Sequence, residues 1–433
     1  MRILHTSDWH LGRSFHRESL LDAQAAFVDH LVGTVHAERV DVVAIAGDVY
    51  DRALPPVDAV SLLQDALRRI VGAGAKVVLI SGNHDSARRL GFGADLLDAA
   101  GVYLRTEPSR AWDPIVLDDV AFYGIPYLEP ELVRAPWELS ERTHSAALGH
   151  AMSRIRLDAV RHRRSVVLAH AFVTGGEASD SERDISVGGV AHVPLSAFDG
   201  VDYAALGHLH GRQRMSGTVR YSGSPLAYSF SEAGQVKGCW LVTLSSERAR
   251  LPRAPAGTEQ DALFGAAEAL TDVAAGGPPY QEGEGLHGGG ERSRGGIPEV
   301  EVVRAPGGAV TVEFVAAPVP RPIGRLRGTI DDLLTLPSYE TYEDHWLQVT
   351  LTDPVRPKSA MDRLRARFPH TLALSFEPSG PQAKVEQVRL SGRPEAEVAL
   401  DFVREVRGEP AAPDEEDLLR QAIEASRVKE TMA

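Results

Sequence analysis

The chain has 433 residues, of which 43% are hydrophobic, 24% charged and 6% aromatic. At roughly 150 residues per domain this is a folded protein of two to three domains, and the composition excludes a largely disordered chain. Sixty acidic residues against 46 basic ones leave a net charge of −14, which excludes a surface basic throughout but leaves a polyanion open to a local basic patch or a bound cation.

The chain opens directly on MRILHTSD, an apolar run ending in turn residues, and reads as a first strand. It has no basic, apolar and small-residue series of the kind a leader shows. Similar short apolar runs follow at 42–46, 77–80, 121–125, 166–169 and 201–206. Between the first two of these, 57–71 carries Val60, Leu63, Leu67, Ile70 and Val71 at helical spacing. Strands alternating with helices predict an α/β unit, whose ligands collect beyond the strand ends. Further strands are expected at 219–222, 239–244 and 311–315. The second of them holds Cys239, the one cysteine, which rules out an intramolecular disulfide and a cysteine zinc knuckle and points to a reducing compartment. Residues 254–300 are rich in Gly and Pro and aperiodic, and are expected to be a disordered insertion.

From Arg321 the pattern changes. Thr329 to Asp332 reads as a capping box and Ser359 to Asp362 as another cap, each before a short helix. HWLQVTL, TLALSF and VEQVRL read as strands, giving a small α+β unit over 321–392. Two amphipathic helices end the chain. Ala399, Phe402, Val403 and Val406 share a face of the first; the second starts at Pro413 and puts Leu419, Ala422 and Ile423 on one face. They either pack on their own domain or dock another protein. No apolar run approaches the ~18 residues of a membrane helix.

Five segments each end a predicted strand with metal-type side chains: Asp8-Trp-His10, Gly47-Asp48, Gly82-Asn-His-Asp85, Ala169-His170 and Gly207-His-Leu-His210. Each alone is weak, since a strand-end histidine is usually a hydrogen-bonded surface residue. Together they predict a hydrolytic two-metal centre. Carboxylate, amide and imidazole donors without thiolate suit Mn, Fe, Zn or Co, and imidazoles disfavour a site for Mg or Ca alone. Two ions ~3.5–4 Å apart need a bridging carboxylate.

SDWH, GDVYD, GNHD, AH and GHLH, in this order and followed by Gly223-Ser-Pro225, are similar to the motifs of the calcineurin-like metallophosphoesterases over about residues 1–245. More narrowly, SDWHLGR, GDVYDRALPP, SGNHDSARRL, YSGSPLAYSFSEAG and PVPRPIGRLRGT resemble the nuclease subunits of bacterial ATPase–nuclease DNA-repair complexes. The resemblance implies an α/β (α+β) fold: a β-sandwich flanked by helices over 1–320, a capping domain over 321–392, and helices at 393–433 that dock an ATPase subunit. It implies one metal on Asp8, His10, Asp48 and His210, a second on Asp48, Asn83, His170 and His208, and two manganese ions as the cofactor. His84 would stay unliganded and face the scissile phosphate. It further implies 3′–5′ double-strand exonuclease and single-strand or hairpin endonuclease action, a homodimer through 57–71 and 92–100, and a cytoplasmic, nucleoid-associated place. The insertion departs from the compact family pattern.

Other roles are open at this stage. Asp85 either orients His84 or caps the next helix. Arg88 and Arg89, just past GNHD, are candidates for DNA phosphate contacts. Arg161 to Arg164 either touch phosphates or form a solvated helix face. Trp9 is more often a packing residue than a stacking platform, and nothing gives His5 or His16 ligand spacing. The alternative function is a metallophosphoesterase acting on a nucleotide, a phosphoprotein or a lipid pyrophosphate.

Overall fold

A computed structural model describes residues 1–185, 192–245, 300–379, 394–407 and 409–431 of the chain. The predicted insertion therefore lies outside the described residues except for Val300, which begins a strand, and so does the predicted strand VEQVRL.

The apolar runs form two stacked sheets. In the seven-stranded sheet the order is Val300–Ala305, Gly308–Ala316, Gly238–Leu244, Arg2–Thr6, Val42–Ala46, Lys76–Ile80, Val102–Arg105. In the six-stranded sheet it is Gln213–Arg214, Val219–Tyr221, Tyr203–Gly207, Arg164–His170, Val120–Ile125, Ile115–Leu117. Alternation along a strand explains the layering. Val42, Ala44, Val78, Ile80, Val166 and Leu168 point between the sheets, where Trp240, Tyr203 and Phe122 join them. Their neighbours Val43, Ile45, Val77 and Leu79 meet the helices Leu21–Glu38 and Val57–Gly72 on one outer face. Val167 and Ala169 meet the helix His144–Ala159 on the other. Strands buried on both sides read as continuous apolar runs for this reason. Each such Val, Ile or Leu contributes roughly 1.5–3 kcal/mol by burial.

Residues beyond 320 build a parallel three-stranded sheet, Ile323–Gly328, Trp346–Leu351 and Thr371–Phe376. The helices Ile330–Thr335 and Ala360–Arg367 lie between its strands in the chain, around a core of Leu326, Leu333, Val349, Leu364 and Phe368. Thr329 caps as expected, its hydroxyl accepting from the Asp332 N–H at 3.2 Å. Ser359 does not: it is left-handed (φ 50°) and its side chain makes no cap bond. The first strand of this sheet was not anticipated, because glycines at both Gly324 and Gly328 interrupt its pattern. Ile323 and Trp346 pack on a cluster of Phe15, Leu20, Leu226, Tyr228 and Phe230. The tail helices Glu395–Arg407 and Pro413–Thr431 are tied by Arg407–Glu415 at 2.7 Å and leave Phe402, Val406 and Leu418 exposed. Among the described residues no helix is long and apolar enough to cross a membrane.

His5 is a core residue rather than a ligand. It is fully buried, hydrogen-bonded to the Tyr203 hydroxyl at 2.9 Å and the Leu206 carbonyl at 3.1 Å. Burial holds its pKa near 3, against the ordinary 6.5. A depressed histidine pKa stabilises the fold fully above the unfolded value and loses that stability as pH falls toward the folded one. Urea unfolding at pH 7 and pH 5 is expected to show His5→Gln losing about 2 kcal/mol less on acidification than the parent; equal losses would refute this role.

Candidate metal centre

All five segments arrive from the carboxyl ends of strands in both sheets, and their turns are sharp. Asp8, His10, Asp48 and His208 have positive φ (53°, 44°, 49° and 106°), a conformation that non-glycine residues seldom hold away from functional sites. The glycines beside them serve space more than flexibility. A Cβ on Gly207 would stand 1.9 Å from the Ala46 carbonyl oxygen, and one on Gly82 2.1 Å from the Asp48 carboxylate. Gly47 alone needs both freedoms, with φ 90° and a Cβ that would meet the His170 ring at 2.5 Å.

The side chains converge. Asp8, His10 and His210 bring donor atoms within 4.8 Å of one another, as do Asp8, Asp48 and His170, and also His10, Asp48 and His84. Asp48 is thus common to two groups. Its Oδ2 lies 3.5 Å from His170 Nε2, 3.7 Å from His10 Nε2 and 3.9 Å from His84 Nε2. Asn83 Oδ1 is 2.9 Å from His170 Nε2, and the His208 ring stands against that of His170 at 5.4 Å. The predicted ligand residues therefore share one pocket, and His84 stands closer to the donor groups than an outlying residue would.

Second contacts fix which ring atoms are free. His170 Nδ1 donates to the Ala46 carbonyl at 2.9 Å and His84 Nδ1 to the Asp51 carbonyl at 2.8 Å, which turns both Nε2 atoms inward. His10 and His210 point their Nε2 atoms at each other across 3.0 Å, and His10 Nδ1 is buried without a hydrogen-bond partner. The electrostatics ask for positive charge. Burial raises Asp8 to about 6 despite the nearby histidines. Burial lowers His170, but the Asp48 and Asp8 carboxylates overcome it and lift that imidazole to about 9. Burial and the His170 charge press His208 down to about 3. Two imidazole Nε2 atoms held 3.0 Å apart, a ring nitrogen without a hydrogen-bond partner and buried carboxylates beside an imidazolium together fit divalent cations on this donor set.

Asp85 takes neither of its two expected roles. Its carboxylate accepts from the N–H groups of Val49 (3.1 Å), Tyr50 (2.9 Å) and Gly82 (2.9 Å), tying the Asp48 turn to the Asn83–His84 turn. The helix Ala87–Leu90 has no side-chain cap, and the His84 ring is held by Asp51. Burial and the adjacent Asp48 raise Asp85 to about 7. Trp9 is wholly buried, donating to Thr6 Oγ1 at 2.9 Å and packing on Phe27, so it is a core residue. Arg88 and Arg89 are exposed, and Arg89 donates to the Ala53 carbonyl at 3.1 Å. Arg164 is buried on Asp202 and the carbonyls of Ser245 and Ala309.

Sequence reasoning missed the residues behind His210. Its Nδ1 lies 2.6 Å from Ser181 Oγ, which donates to the fully buried Glu232. Lys237, also buried, is paired with Glu232, and burial lowers its pKa even so. Glu182 accepts from the His210 N–H at 2.7 Å. The SFSEAG string belongs to the family resemblance, and no spacing signal joins it to Ser181.

Residues 1–212 match the family model of the calcineurin-like phosphoesterases. Residues 319–407 match a second model, described as the type 5 capsule protein repressor C-terminal domain and known as the SbcD C-terminal domain. Among solved structures the chain is similar to GAP50, the anchor in the inner membrane complex of Plasmodium, at 14% identity and TM-score 0.33, over 52% of this chain and 71% of that one. A likeness that slight carries no argument. The first domain acts on phosphoesters as a hydrolase, and its fold family uses divalent metals.

Removing three acceptor contacts at once should loosen both turns. Asp85→Ala is expected to lower stability by about 3 kcal/mol in urea unfolding; an unchanged midpoint would show that these N–H groups find other partners.

Proposed function

We propose, from the premise that this chain is a calcineurin-like metallophosphoesterase carrying an SbcD C-terminal domain, that it is a metal-dependent DNA nuclease working with an SbcC-type ATPase in DNA repair, recombination and replication. The observation that carries this reading is the pairing: a phosphoesterase donor set converging on Asp48, joined in one chain to an SbcD-type domain. Asp8, His10, Asp48 and His210 would hold one cation and Asp48, Asn83, His170 and His208 the other. Two divalent ions, manganese by the family resemblance, would offset phosphoryl charge and acidify water when bound. The chain's residues supply the rest. Asp48 bridges. Asp85 positions, by holding the backbone on either side of Asp48 and Asn83. His84, its Nδ1 hydrogen on Asp51, offers Nε2 to the phosphoryl oxygen or the leaving alkoxide. Burial lowers its pKa, so it delivers a proton readily once charged.

Domain roles follow as part of the same reading: residues 1–320 as the nuclease, 321–392 as a cap that positions DNA, 393–433 as the ATPase dock. The exposed Phe402, Val406 and Leu418 support the dock. Exposed Val57, Phe92 and Leu96, beside an apolar cavity of about 480 Å³ lined by Leu63, Leu67, Leu90 and Leu97, support a homodimer there. Arg88 and Arg89 remain candidates for DNA phosphates, at the rim of that region. The compartment in this reading is cytoplasmic, at the nucleoid.

The purified chain should cut a labelled DNA hairpin with Mn2+ and not with chelator, and the SbcC-type partner with ATP should alter the cutting. His84→Gln should keep bound metal while cleavage falls by at least about 100-fold. Hydrolysis of a small phosphodiester without DNA cutting would move the reading to a small-substrate enzyme. Truncation after residue 392 should leave the remainder folded and abolish co-purification with the ATPase; retained binding would sink the docking role.

A further inference from the structure

Every polar atom of His210 except Nε2 is engaged by one buried network. Its N–H donates to Glu182 at 2.7 Å, and its carbonyl accepts from Lys237 Nζ at 2.8 Å and the Ser224 N–H at 3.1 Å. Its Nδ1 meets Ser181 Oγ at 2.6 Å. A carboxylate only accepts, so the single Ser181 proton goes to Glu232, and His210 Nδ1 must carry the hydrogen it shares with Ser181. The chain Glu232–Ser181–His210 thereby fixes the tautomer that presents Nε2 as a lone pair. His10, opposite, has no such support: its Nδ1 lacks a hydrogen-bond partner.

Stability does not account for the network. Burying a Lys–Glu pair gains little over apolar residues of the same volume, yet Glu232 and Lys237 are 0% and 4% exposed. Ser181 is brought in by its own segment, which Arg13 holds at the Ser181 carbonyl (3.2 Å) and Ser231 holds at the Asp180 N–H (3.0 Å). We propose that Glu232, acting through the Ser181 hydroxyl, is the positioning group that orients His210 for the cation it shares with Asp8 and His10, and that the second cation does not depend on it. This rests on the two-metal reading above.

The test is Mn2+ alone, titrated by calorimetry and by the Mn2+ EPR signal into the full chain, its Ser181→Ala variant and its Glu232→Gln variant, with melting curves in chelator. The parent should bind two ions. Ser181→Ala should lose about tenfold or more in affinity at one site and nothing at the other, the size expected when a ligand's orienting partner is removed. Its metal-free melting should stay cooperative, with only the modest drop that the lost buried hydrogen bonds entail. Glu232→Gln should show the same one-sided loss. Two unchanged affinities in Ser181→Ala would overturn the proposal, and so would equal losses at both sites, which mark general loosening. A parent that binds no Mn2+ would overturn the metal reading itself, which separates the two failures.

Discussion

Asp48 is a carboxylate with 2% of its surface exposed, placed where the two sheets meet. Taking such a group from water costs several kcal/mol unless charge is returned to it. The pocket is organised around that need. His10, His84 and His170 all stand within 4 Å of one Asp48 oxygen, while the other accepts the His84 N–H at 2.9 Å. The sheets can approach this closely only because Gly47 presents no Cβ to His170 and Gly207 none to Ala46 across the gap, while Gly82 leaves room for Asp48 within its own sheet. Strand order, glycine placement and donor convergence are thus one constraint seen at three scales. Against the pull of burial, the Asp48 and Asp8 carboxylates raise the pKa of the His170 imidazole beside them.

Much of this was legible in the sequence because two signals coincide. Strands buried on both faces read as unbroken apolar runs, and each ended in residues of one chemical kind. That combination located the strands and the candidate donors at their ends; the sandwich came from the family resemblance and the terminal helices from their own helical spacing. The rest depends on distant pairs of common residues. Ser181 meets His210 across 29 positions and Glu232 across 51, with no motif to join them. Asp85 sat in the recognised motif, but its role lies with backbone N–H groups, which leave no trace in side-chain pattern. Arg164 read as surface because arginine usually is; three acceptors at the end of a buried strand make it an interior tie. Glycines hid the strand Ile323–Gly328, and the Ser359 turn shows that a capping residue in the right place need not cap when its backbone is left-handed.

The left-handed turns also bear on which amino acids this centre can employ at all. Among side chains that bind hard or borderline cations, Asp, Asn and His enter that backbone region several-fold more readily than others do. Glutamate, with equal charge and longer reach, enters it less readily, although Glu138 does so here at φ 54°. The positive φ at Asp8, His10, Asp48 and His208 therefore restricts the donor alphabet before any metal is considered. Glutamate is found one layer out instead, as Glu182 and Glu232, reaching His210 from segments where the backbone is unstrained. Ligand exchange at those four turns, by drift or by design, is biased by backbone geometry toward the small set already in use.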